Sequence, residues 1–250
     1  MSSSAERPPA DPDPEPVGAA EVGHTHTDVS GGWLRAATFG AMDGLVTNMS
    51  LVAGVGAAGA STAVLLTAGL AGLVAGAFSM ALGEYASVST QNEAIDKEVA
   101  VEAREIRDNA AAEIAELADM FVGMGMTGST AAAAAQEVHA DPDQAVRVHV
   151  SQELGLDPDE KASPIVAAVS SFVMFSIGAA VPLIPYALGR SSLAAGLACG
   201  ALGLLLAGAV ASRFTATSWW WGALRQLMYG AIAASATYAV GTLLGVGFAP

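Results

Sequence analysis

An all-helical, polytopic membrane protein is the fold class that this 250-residue sequence predicts, and three observations predict it. The chain is 53% hydrophobic with a mean hydropathy of +0.48, more apolar than the roughly 45–50% usual in soluble domains. Five stretches, roughly residues 34–58, 63–88, 164–188, 191–212 and 221–247, reach the about 20 apolar residues that a helix needs to cross a bilayer. The acidic residues behind a formal charge of -14 are partitioned: of 24 Asp and Glu, six precede position 33 and sixteen run from Glu93 to Glu160. Only Asp43 and Glu84 lie within the apolar stretches.

Taken in order, residues 1–32 are rich in Pro, Ser, Asp and Glu, with too few large apolar side chains to offset the entropy of ordering. They are expected to be a disordered tail, without the apolar core of a secretory signal and with His24 and His26 solvated. Residues 33–90 are expected to form transmembrane helices 1 and 2, residues 91–162 a cytoplasmic helical domain, and residues 163–250 transmembrane helices 3 to 5. An odd number of spans puts the termini on opposite sides of the membrane. With the amino terminus inside, Arg35, Arg213, Arg225 and the basic residues of 90–161 are cytoplasmic and only Arg190 is outside, which sets the orientation.

Small residues fill the spans, with G-x-x-x-G spacings at Gly40/Gly44, Gly72/Gly76, Gly196/Gly200 and Gly241/Gly245 that allow close helix approach in lipid. Cys199, the only cysteine, is expected to be a packing residue. Pro182 and Pro185 remove helical donors and predict a kink, tolerated where protein or a wet cavity satisfies the freed carbonyls. Trp219, Trp220 and Trp221 form an interfacial anchor.

Residues 91–120 contain no Gly or Pro, so the second span is expected to continue into the cytoplasm as a helix. A second insert helix is expected from about 129 to 139. A third opens at Asp141-Pro142 and ends at Gly155, completing a three-helix insert.

A carboxylate inside hydrocarbon is expensive enough to need a reason, so Asp43 and Glu84 are candidate site residues. Met80, one turn before Glu84, adds a thioether on the same face, and oxygen with sulfur suits a late first-row divalent metal. In the insert, Glu98, Glu105, Glu113 and Glu116 fall within roughly 60° of Glu102 on a helical projection. Such a stripe repels itself and calls for cations. Glu102 and Glu116 are about 21 Å apart along one straight helix, so either several ions bind or the helix breaks near Asn109 and folds its two E-x-x-E pairs together. His149 and Glu153, one turn apart, are positioned to complete the shell, whereas His139 is expected to be a surface residue. No nucleophile–base arrangement, phosphate loop or Cys/His zinc spacing occurs, which argues against an enzyme. No nucleic-acid partner is expected.

These motifs resemble the vacuolar iron transporters. The resemblance rests on Gly40-Ala-Met-Asp43-Gly44-Leu-Val with Asn48-Met-Ser50, on Ala71-Gly72 through Ser79-Met80-Ala-Leu-Gly83-Glu84-Tyr85, and on Glu153-Leu-Gly-Leu-Asp157-Pro and Phe175-Ser-Ile-Gly178 through Pro185. It covers about residues 33–247. It implies a five-helix homodimer in a lipid bilayer that exchanges ferrous iron for protons, with Asp43, Met80 and Glu84 lining a path between protomers. It also implies a cytoplasmic metal-binding domain that uses Glu102, Glu105, Glu113, Glu116 and Glu153. The metal is cargo rather than a permanent cofactor. Two departures stand out: Met42 where relatives often carry Asn, and His149-Val150 where they often carry a Met pair. An imidazole in place of thioethers shifts the expected preference toward manganese, zinc or cobalt. The implied location is the plasma membrane of a bacterium or a vacuolar or other organelle membrane of a eukaryote. A membrane-anchored iron-oxidising or iron-storing protein and a passive metal channel are the alternatives.

Overall fold

The computed structural model describes residues 32–155 and 161–247, and every regular element among them is helical. The expected tail with His24 and His26, and Asp157 of the Glu153-Leu-Gly-Leu-Asp157-Pro motif, lie outside the described residues. In chain order the helices are α1 (Trp33–Ala57), α2 (Thr62–Asp108), α3 (Ala110–Gly123), α4 (Gly128–Val138) and α5 (Pro142–Leu154). There follow α6 (Pro164–Ala180), α7 (Ile184–Ala187), α8 (Leu193–Ala211) and α9 (Trp219–Gly247).

Four segments are long and apolar enough to cross a membrane: α2, Pro164–Ala187, Leu193–Phe214 and Trp219–Gly245. The first of the five expected spans, α1, does not join them. Its 25 residues reach about 37 Å, but Arg35, Asp43 and Asn48 dilute its hydropathy. Packing accounts for that polarity, because α1 is the central helix and touches α2, α6, α8 and α9. Asn48 on it is fully buried.

The α1–α6 contact depends on glycine. A Cβ at Gly44 would strike the Phe175 backbone, and one at Gly178 would strike the carbonyl of Ala41, so the two backbones touch without side chains between them. The α6 helix then gives way to a 3₁₀ turn over Val181–Leu183, at Pro182. Asn48 Nδ2 donates to the carbonyl of Ala179 at 2.7 Å and to that of Gly69 on α2 at 3.1 Å. One buried amide therefore satisfies the kinked segment and pins three helices together.

Outside the apolar bundle, α2 runs on without interruption for 47 residues, about 70 Å. It stops at Asn109, whose φ of -130° and ψ of 30° leave the helical region. The Asn109 side chain donates to Glu105 at 2.7 Å across that break. The expected single helix over 91–120 is thus corrected to two, and of the two arrangements considered for the stripe the broken one is found. Leu117 and Phe121 of α3 pack on Ala131 and Ala135 of α4. Asp141 caps α5 by accepting from the backbone N–H of Asp143 and Gln144, Pro142 fills the first turn, and Gly155 closes it with φ 62°. Asn92 donates to the Ala162 carbonyl at 3.0 Å and Lys161 pairs with Asp96, which ties the returning chain to α2.

Replacing Asn48 by Ala removes both interhelical bonds and leaves buried carbonyls short of a donor. Thermal unfolding of the detergent-solubilised protein should register a loss of about 1–3 kcal/mol. An unchanged transition would show that Asn48 does not pin the bundle.

Candidate metal centre

Four of the expected ligands converge where α2, α3 and α5 meet. His149 is completely buried. Its Nδ1 lies 3.1 Å from Glu102 Oε1, 3.0 Å from Glu153 Oε1 and 3.6 Å from Glu113 Oε2. One ligand atom from each of the four residues falls within 4.8 Å of all the others. The break at Asn109 makes this possible by turning Glu113 back toward Glu102, and the i,i+4 spacing on α5 puts His149 and Glu153 on the same face.

The group lacks hydrogen-bond donors. Nδ1 carries at most one proton, and its hydrogen bond is with Glu153. Glu102 Oε1 is buried with no hydrogen-bond partner among the described residues. Burial pushes the Glu102 carboxyl above its ordinary 4.5, Glu153, Glu113 and Glu116 push it further, and His149 opposes them. Burial also raises Glu113, against His149 and with Glu116, Glu153 and Glu105. Three carboxylates and one imidazole form a donor set suited to a first-row divalent cation, which would supply the missing positive charge.

Glu105 and Glu116, also expected as ligands, stay exposed at the edge; Glu105 accepts from Asn109, and both contribute charge. His139, expected at the surface, is instead half-buried. Its ring stands edge-on to His149 with centroids 5.1 Å apart. Its Nδ1 is 2.8 Å from the Ala135 carbonyl, and its Nε2 is buried with no partner among the described residues. Sequence spacing carried no signal for this, because the packing of α4 on α3 positions the ring.

The three candidates in the helical bundle are arranged differently. Glu84 is 8% exposed, and Arg35 Nη2 donates to its Oε2 at 2.8 Å. Met80 packs partly buried against Ala77, Phe175 and Ala179. Asp43 is half-buried on α1 and has no ion-pair partner among the described residues. The antiparallel register, with Arg35 against Glu84 and Asn48 against Gly69, puts Asp43 about level with Ala75. Glu84, Met80 and Asp43 thus lie at successive levels along the bundle, roughly 6 to 8 Å apart.

A family model described as the VIT family matches residues 34–242. The chain is 35% identical over 227 residues to a protein of Acanthamoeba castellanii named vacuolar iron transporter, covering 88% of this chain and 82% of that protein. It is 33% identical to vacuolar iron transporter homolog 1 of Oryza sativa, covering 86% and 75%, and 29% identical to vacuolar iron transporter 2 of the same species, covering 85% and 89%.

Two consequences of pH follow from the raised carboxyls. The metal-free cluster keeps its stabilising protonation below 4.5, the ordinary glutamate value, and loses it as pH rises through the raised values. Metal affinity runs the other way. Calorimetric titration of the full chain with manganese(II) should show Kd tightening between pH 5 and 7, by roughly tenfold per pH unit for each proton displaced. A Kd indifferent to pH over that range would contradict the assignment.

Proposed function

The chain belongs to the VIT family, whose proteins are transporters rather than enzymes, and on that premise we propose that it moves ferrous iron out of the cytosol in exchange for protons. The coarser statement, that it is an integral membrane protein of metal-ion transport, follows from the family itself. The observation that carries the finer one is the convergence of Glu102, Glu113 and Glu153 on the buried His149.

The acidic domain raises the concentration of divalent cations beside the membrane. The same α2 rod then leads from Glu102 to Glu84, about 27 Å along its axis. At Glu84 the metal meets a carboxylate already neutralised by Arg35, so the cation replaces a guanidinium rather than entering an empty site. Met80 supplies sulfur one turn deeper, and Asp43 supplies the next carboxylate. Metal and proton alternate on these carboxylates as the bundle opens to one side and then the other.

In this reading α1 is a fifth span, with Asn48 buried among its neighbours and Arg35 paired with Glu84, and the amino terminus and insert are cytoplasmic. A homodimer is supported by α2, which leaves an exposed row of small residues, Thr67, Ala71, Ala75, Ser79 and Gly83, at four-residue spacing beside Met80 and Glu84. The imidazole at position 149 extends the proposed cargo to manganese, zinc and cobalt. The host membrane is the plasma membrane in a bacterium and an organelle membrane in a eukaryote.

Purified protein in liposomes, with ferrous iron outside and an iron-sensitive dye inside, tests the proposal. Uptake should depend on an imposed pH gradient, and uptake indifferent to the gradient would show a passive channel. Asp43→Ala should abolish uptake while the insert still binds metal, and full uptake by that variant would remove Asp43 from the path.

A further inference from the structure

A charged cavity with no Asp or Glu in its lining lies at the end of the bundle that carries Arg35. It is bounded by the start of α1, the end of α8 with the turn that follows, and the beginning of α9, and encloses about 410 Å³. Arg35, Arg225 and Gln226 line it on the polar side, and Phe39 and Phe214 are among its apolar lining. Arg35 is engaged with Glu84 through one nitrogen. Arg225 is less committed: its Nε is buried with no hydrogen-bond partner among the described residues. Gln226 is itself buried, and its amide donates to the sulfur of Met42 at 2.7 Å.

We propose that this cavity binds a phosphate oxyanion, presented by the headgroup of an anionic phospholipid. Two guanidinium groups with no Asp or Glu among the lining residues favour an anion over a metal cation in this cavity. Guanidinium groups instead match phosphate oxygens in charge and geometry, and a buried N–H without an acceptor is what such an oxygen satisfies. The surroundings favour a lipid over a free ion. Phe39 and Phe214 are each more than half exposed at the rim, and the nearby Trp219, Trp220 and Trp221 are exposed as in an interfacial belt. A basic pocket between helices at that level meets a high local concentration of anionic headgroups.

Native mass spectrometry of the full chain in neutral detergent, with equimolar phosphatidylglycerol and phosphatidylcholine, provides the test. The native protein should retain phosphatidylglycerol about tenfold better, as expected for a charge-assisted contact. Arg225→Gln should remove that preference and Arg225→Lys should keep part of it. Thr215 is exposed at the cavity, so Thr215→Asp should repel the headgroup without disturbing the fold, checked by an unchanged melting temperature. Displacement of the lipid by millimolar inorganic phosphate would mean that the phosphate group alone suffices, free or esterified. Resistance to displacement would mean that the lipid is the ligand. Equal retention of both lipids by the native protein, or native preference in a correctly folded Gln or Asp variant, would overturn the proposal.

Discussion

Three carboxylates drawn around one buried imidazole are a constraint the protein cannot satisfy with its own side chains. His149 Nδ1 carries at most one proton, its hydrogen bond is with Glu153, and Glu102 Oε1 is buried with no hydrogen-bond partner among the described residues. Like charges this close either hold protons or hold a cation. The architecture of the insert follows from that choice. The α2 helix must be long enough to carry Glu102 beyond the apolar bundle, it must break at Asn109 to bring Glu113 back, and α5 must present His149 and Glu153 one turn apart. The small-residue packing of α3 on α4 holds the turn in place and brings His139 against the back of the site.

Within the bundle the same logic applies to single charges. Glu84 is buried and does not stand alone, because Arg35, its own side chain mostly exposed near the start of α1, reaches it. The two devices differ in what a metal ion would meet. At the insert it fills a deficit of positive charge. At Glu84, in the proposed path, it would have to compete with a guanidinium already in place. Asn48 solves a separate problem, since the proline-broken segment after α6 needs a donor for its carbonyls and receives one from the central helix.

Local signals in the sequence were enough for elements whose ends are set by their own residues. The boundaries of α5 come from Asp141, Pro142 and Gly155, each acting within a turn of itself. The kink at Pro182 and the close helix contacts at Gly44 and Gly241 were legible for the same reason. Long-range pairings were not. Nothing near Arg35 names Glu84 as its partner, 49 residues away, and nothing near His139 indicates that α4 will swing it against His149. The helical projection put Glu98, Glu102, Glu105, Glu113 and Glu116 on one stripe of a single straight helix. It could not separate Glu102 and Glu113, which converge, from Glu105 and Glu116, which do not, because that distinction depends on the direction of the turn at Asn109. The polarity of α1 likewise became intelligible only once the helix was seen at the centre of the bundle.

Crystals of the full chain grown with manganese(II), measured at an X-ray wavelength where manganese scatters anomalously, address the central claim most directly. The account predicts an anomalous peak between the carboxylates of Glu102, Glu113 and Glu153 and within bonding distance of His149. An ordered, metal-loaded crystal with that position empty, or with the peak bound elsewhere on the insert, would contradict it.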